Sequence, residues 1–262
     1  MKIGINLTDL IPGKVGGMEN YMRSLVYYFG LIATNDNFFA VGYKDILKNI
    51  DLNGCDKLPI KKSSSREAQS KLLCSIINEN KFDVWLSPLL ILDPLECPVP
   101  SAVTIPDMQH EYYPDFFDKN TLYWRKEYYQ KSVDKAEIIF TLSKNSRLDI
   151  IRYLDVSPEK IKAVYLDSPA WFRKSISLED TKNIKKIYRL PENYLYYPAN
   201  TWPHKNHVRL MEAYLKIKDK IPLTHLLFSG FPHQSSTQIT KFIKGNNLRN
   251  RIHFLGYVKT EH

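Results

Sequence analysis

A chain of 262 residues with 44% hydrophobic and 25% charged side chains is composed like a soluble globular protein, with room for two ordinary domains. Ten Gly and fifteen Pro exclude a collagenous or low-complexity chain, and the length suffices to bury roughly 70% of the unfolded surface, which excludes disorder as the main state. The balance of 37 Lys+Arg against 28 Asp+Glu, net +9, favours an anionic partner such as a phosphorylated small molecule or an acidic membrane face. No run of five basic residues exists, so a nucleic-acid tail is not expected.

In chain order, Lys2–Asn6 reads as a short strand, followed by a loop over Thr8–Gly17 and a helix over Met18–Ile32. Strands are expected at Phe38–Tyr43, Asp83–Ser87, Ser101–Ile105, Glu137–Leu142 and Ile161–Leu166. Helices are expected at Ser64–Asn80, Thr121–Asp134 and Lys144–Leu154, the last with Ser143 as its N-cap. Ser168–Leu190 is charged and weakly periodic and reads as a crossover. A second alternation follows: strands at Tyr194–Tyr197, Leu223–Ser229 and Arg251–Leu255, with helices at Asn206–Lys218 and Gln234–Lys244. Strand–helix–strand repeats mean parallel sheets covered by helices, an α/β class. The expected organisation is a Rossmann-like domain over residues 1–170, a crossover over 171–190 and a partial second Rossmann-like domain over 191–262. With only three strands, that second domain is expected to be incomplete and to leave the strand near Arg251–Leu255 as an uncovered edge.

Several chemistries have no signature. The three cysteines form no C-x-x-C pair, which argues against disulfides or a structural zinc and fits a reducing cytosol. Asp9 interrupts the N-terminal apolar stretch before a signal-peptide core forms, and no apolar run approaches a membrane span. A P-loop, a G-x-G-x-x-G and a G-x-S-x-G elbow are all missing.

Three segments at carboxyl ends of strands carry candidate chemistry, the place where open α/β sheets bind ligands. Gly16-Gly17-Met18-Glu19 sits between the first strand and helix; its glycines allow close backbone approach, and the helix start offers free N–H groups to an anion. An ordinary tight turn fits it equally. Asp107-Met108-Gln109-His110-Glu111 follows a strand, and a His beside a carboxylate can orient a hydroxyl or a pyranose ring; a structural histidine is the alternative. Asn200-Thr201-Trp202-Pro203-His204-Lys205-Asn206-His207 opens the first helix of the second alternation, where a lysine suits a diphosphate. Asn206 or Thr201 as a plain cap is the other reading of that corner. The aromatic helix Tyr123–Tyr129 (YWRKEYY) touches an acceptor or serves packing.

The ordered set resembles the retaining GT-B glycosyltransferases of the large family 4. Gly16-Gly17-Met18-Glu19 is similar to that family's G-G-x-E, Asp107 to Phe117 to its D-x-x-H segment, Thr141 to Ile150 to its T-x-S-x-x-S-x-x-D-I junction, and Trp202 to His207 to its P-R-K-N corner. The resemblance implies sugar transfer from a nucleotide-sugar donor to a saccharide or lipid-linked acceptor, with retention at the anomeric carbon, no cofactor and no metal. It implies donor-phosphate contacts at Gly16, Gly17, Asn200 and Lys205, acceptor-side roles for Glu19, Asp107, His110 and Ser143, and catalytic roles for His110 and Lys205. Asn200 stands where many relatives carry an arginine, and His204 replaces the arginine of P-R-K-N. The family's paired glutamates lie beyond the third strand of the second domain, past His262. Two alternatives accompany this reading: a non-catalytic partner or fragment of a transferase, and a nucleotide-sugar epimerase on the same architecture. The implied setting is cytoplasmic, at most peripheral at the inner membrane face.

Overall fold

The computed structural model describes residues 1–12, 16–32, 35–51, 53–173 and 175–258. It divides into two compact units, Met1–Ala170 and Trp171–His262. In the first unit the elements run β1 (Lys2–Asn6), α1 (Gly17–Ile32), β2 (Asn37–Tyr43), α2 (Lys44–Lys48), β3 (Asp56–Ile60), α3 (Arg66–Asn80), β4 (Val84–Ser87), β5 (Ser101–Thr104), α4 (Gln109–Tyr112), α5 (Lys119–Lys135), β6 (Ile138–Thr141), α6 (Lys144–Leu154) and β7 (Ile161–Ala163). The second unit holds α7 (Leu178–Ile187), β8 (Asn193–Pro198), α8 (His207–Ile217), β9 (Thr224–Ser229), α9 (Ser236–Gly245) and β10 (Ile252–Phe254).

Among the described residues the strands of the first unit form one seven-stranded parallel sheet in the order β3-β2-β1-β4-β5-β6-β7. The chain winds outward from β1 to β3, then restarts at β4 on the other side of β1. The crevice above the carboxyl ends of β1 and β4 is therefore the switch point where such sheets take ligands. Two apolar layers cover the sheet faces. One centres on Leu73, Ile77, Trp85, Val103, Tyr129 and Ile139, the other on Ile5, Leu10, Met22, Val26, Ala40 and Leu47. Burial on both faces explains why these strands read as continuous apolar runs.

Helix starts follow local capping chemistry. The side chains of Ser65, Asp118 and Ser143 accept hydrogen bonds from the backbone N–H of Ala68, Thr121 and Ser146, opening α3, α5 and α6. β3 lacks a clear sequence signal because Pro59 interrupts it; the strand is tolerated because it forms the sheet edge. The weakly periodic stretch before residue 190 contains α7, which buries no side chain. That helix is specified by its Ser177 cap, by Glu179 and Asp180 in the first turn, and by Lys185 and Lys186 in the last, a charge order that complements the helix dipole.

The described residues of the second unit form three parallel strands in the order β10-β9-β8 over a core of Met211, Tyr214, Leu226, Phe228, Ile239 and Ile252. β10 is an edge of this sheet, and so is β8, whose Leu195 and Tyr196 are exposed.

Candidate functional site

In the first unit, Gly16 adopts a positive φ of +58°, the left-handed region that favours glycine, and its carbonyl accepts from the Glu19 N–H. Among the described residues, a Cβ added at Gly16 or Gly17 would meet no atom within 4 Å. Glu19 accepts from Arg23 Nε and lies 2.9 Å from its Nη2, an i,i+4 ion pair along α1. Two residues on, the Tyr21 hydroxyl bonds Thr104 at the end of β5. Ser143 bonds Ser146 through both the backbone N–H and the Oγ, a capping arrangement.

His110 lies in α4 just past β5 and is only 4% exposed. Its ring meets Tyr129 and Phe117 edge-on, and its Nε2 lies 3.5 Å from the Glu111 carboxylate. The Arg125 guanidinium sits 4.6 Å above Phe117 and 5.8 Å from the Tyr129 ring, 4.0 Å from Asp107. Asp107 also accepts from the Gln109 N–H. Four buried polar atoms gather here with no hydrogen-bond partner among the described residues: His110 Nδ1, the Tyr129 hydroxyl, and Arg125 Nε and Nη1. Buried polar groups are normally paired, so such a cluster marks a place for water or a ligand hydroxyl. Arg125 and Tyr129 have no motif of their own; their one sequence signal is the i,i+4 spacing inside the aromatic helix, which puts both on the face of α5 that meets His110.

Burial, and behind it the Arg125 charge, lowers the His110 imidazole from its ordinary 6.5 to about 4, against the opposing pull of Asp107. The ring is therefore neutral at pH 7 and presents one donor and one acceptor nitrogen. Because the folded pKa is depressed, His110 favours the folded state fully above pH 6.5, and that contribution is lost as pH falls from about 6.5 to about 4. Urea titrations at pH 7 and pH 4.5 should show wild type losing on the order of 2–3 kcal/mol more than His110→Gln over that interval. Equal losses in both proteins would count against a buried neutral imidazole.

In the second unit, the Asn200 side chain accepts from the Phe231 N–H, tying the loop after β8 to the loop after β9. Gly230 makes this approach possible: a Cβ there would lie 2.6 Å from the Asn200 side-chain Oδ1, and its φ is +118°. Thr201 accepts from the His233 N–H and bonds Ser236, so it braces the start of α9 and does not cap α8. Asn206 holds the N-cap position of α8 in a left-handed conformation, yet its side chain makes no capping bond. Among the described residues the first N–H groups of α8 thus receive no side-chain cap from Asn206, which suits an anion. Lys205, exposed, closes the turn before that helix, and its carbonyl accepts from Tyr197. A cavity of about 280 Å³ opens against the start of α8, lined by Pro203, Asn206, His207, Arg209, Ser235 and Gln238 among others. Beside it Trp202 and His233 stack at 3.8 Å.

Among the described residues no group of three or more His, Cys, Asp or Glu is placed to hold a metal ion, and no helix is long and apolar enough to cross a membrane.

No protein-family model matches the chain. It is 23% identical over 149 residues to the O-antigen chain mannosyltransferase B of Escherichia coli, a match covering 56% of this chain and 39% of that protein. The chain thus aligns with about two-fifths of the length of the curated relative it matches. Among solved structures, it resembles the Anabaena Alr3699/HepE protein crystallised with UDP-glucose (TM-score 0.71, 14% identity, 99% of this chain and 70% of that one). It also resembles a glycosyltransferase from Rickettsia africae ESF-5 (TM-score 0.66, 15% identity, 98% of this chain and 68% of that one). Two α/β units, each built on a parallel sheet, which match these chains over nearly the whole of this chain and about 70% of theirs, give this protein the GT-B glycosyltransferase fold.

Proposed function

We propose that this chain is the acceptor-side domain and part of the donor-side domain of a glycosyltransferase that moves a sugar from a nucleotide-sugar to a saccharide acceptor with retention. The observation that carries the reading is the Lys205 corner: an exposed ammonium beside an uncapped helix start, on the unit that GT-B enzymes use for the donor. A diphosphate there meets Lys205 and the α8 amides, which also stabilise the charge that develops on the leaving group. In this reading no metal is needed. On the first unit, Gly16 and Gly17 offer a backbone that an anionic group can approach closely. Asn200 acts by shaping the loop over the donor. His110, neutral and flanked by Asp107, orients a hydroxyl of the transferred sugar or the acceptor. Glu19 and Ser143 support this acceptor side through α1 and α6.

The names of the similar proteins support the reading, since one is called a mannosyltransferase and another was crystallised with UDP-glucose. The net charge of +9 suits an acceptor carried on an anionic membrane surface, such as a lipid-linked saccharide. Calorimetry of the chain against UDP, GDP and ADP tests the proposal. Saturable binding of one nucleotide supports it and identifies the donor class; a folded chain that binds none of them sinks it in favour of a non-catalytic partner.

A further inference from the structure

The switch point of the first sheet holds a second cluster that the sequence motifs do not mark. Asp9 follows β1, Asp93 follows β4, Arg66 begins α3, and Trp124 and Tyr128 project from α5. The Arg66 guanidinium lies 5.7 Å and 5.4 Å from the Trp124 and Tyr128 ring centroids, and its Nη2 is 3.6 Å from Asp9. The two rings stack at 5.7 Å and 29°. Arg66 and Asp9 remain 39% and 47% exposed at their side chains, so both are accessible.

Asp93 forms the floor. Its backbone carbonyl accepts from Asn6, Trp85 and Ser87, and its carboxyl accepts from Ser70. Beside it, Gln69 accepts from the Tyr43 hydroxyl and the Ser63 N–H, while its buried amide nitrogen has no partner among the described residues.

Stability does not account for this arrangement. An exposed, long ion pair contributes about 0–1 kcal/mol, and the guanidinium–ring contacts add a similar amount. Ligand chemistry does account for it. The Asp9 carboxylate pairs with the guanidinium and the Asp93 carboxyl lies within its electrostatic reach, so a phosphate is repelled and a free cation finds its place already taken. A neutral polyhydroxylated ring fits: adjacent hydroxyls donate to a carboxylate and accept from a guanidinium, and aromatic rings supply apolar surface for its C–H groups.

We infer that Asp9, Arg66, Trp124 and Tyr128 form a saccharide subsite that seats a neutral sugar ring of the acceptor at the β1/β4 switch point. The inference rests on the glycosyltransferase reading for the word acceptor, and on the cluster alone for the sugar.

Saturation-transfer NMR on the chain with methyl α-D-mannopyranoside and methyl α-D-glucopyranoside tests it. At least one glycoside should bind saturably, and its affinity should fall at least tenfold in Arg66→Gln and in Asp9→Asn. Both substitutions lie on exposed side chains and leave the Ser65 cap of α3 intact, so folding, checked by circular dichroism, persists. Trp124→Phe should weaken binding less than Trp124→Ala. Failure of both glycosides to bind, unchanged affinity in Arg66→Gln and Asp9→Asn, or displacement of the glycosides by inorganic phosphate overturns the subsite. Nucleotide binding is read separately. A chain that binds a nucleotide but no glycoside loses the subsite and keeps the transferase reading; one that binds a glycoside but no nucleotide does the reverse.

Discussion

Lys205→Ala should weaken binding of the preferred nucleoside diphosphate about tenfold to a hundredfold, the loss expected for one charge-assisted hydrogen bond of ~1.5–3 kcal/mol. The fold should survive. The Lys205 side chain is exposed, and its structural contribution is a backbone carbonyl bonded to Tyr197, which alanine retains. The Trp202–His233 stack and the Asn200 bridge to Phe231 do not involve the lysine side chain. Lys205→Arg should keep most of the affinity, because the charge stays beside the α8 amides, whereas Lys205→Met should resemble alanine. The loss should shrink at high salt, since an exposed charge is screened. Calorimetry at two salt concentrations reads both effects. Equal affinity in wild type and Lys205→Ala would place the diphosphate elsewhere.

Trp85→Ala should destabilise the first unit by ~3–5 kcal/mol, the usual cost of removing a fully buried aromatic. Trp85 is 0% exposed, packs against Phe82, and donates its indole N–H to the Asp93 carbonyl. The ring lies directly against β1. A Cβ on Gly4 would approach it to 2.5 Å, which is why that strand carries glycine at a position where its φ imposes no such need. Gly4→Ala alone should therefore cost ~1–3 kcal/mol through overpacking. In the Trp85→Ala background the added methyl enters the vacated space, so the double variant should be more stable than the sum of the two losses predicts, with a coupling of at least ~1 kcal/mol. Denaturant titration followed by circular dichroism across the first unit's transition measures all three proteins. Strict additivity would contradict the contact. Because Trp85 anchors the loop that carries Asp93, its loss should also weaken glycoside binding at the switch point.

Most of the strands and long helices, and thereby the α/β class, were legible in the sequence. Strands buried on both faces must be short apolar runs, and the Ser143 cap acts within a few residues of itself. The Gly16-Gly17 turn and the Lys205 corner were legible for the same reason: each is a local device at a strand-to-helix junction. Elements whose stability comes from position were less visible. β3 contains a proline and exists because it is the sheet edge, and α7 is polarised by charge and buries nothing.

Neither candidate cluster of the first unit could be read locally. Arg125 and Tyr129 meet His110 across 15 to 19 residues of chain, and Asp9, Arg66, Asp93 and Trp124 come from four separate elements. Their encounter depends on the sheet order β3-β2-β1-β4, which brings the ends of β1 and β4 side by side. Sequence pattern fixes which residues face inward along one strand or helix, because that follows from a period of 2 or 3.6 residues. Which strand ends become neighbours is decided by the packing of all seven strands at once, and only there do the side chains of a site acquire their partners, their burial and their shifted protonation.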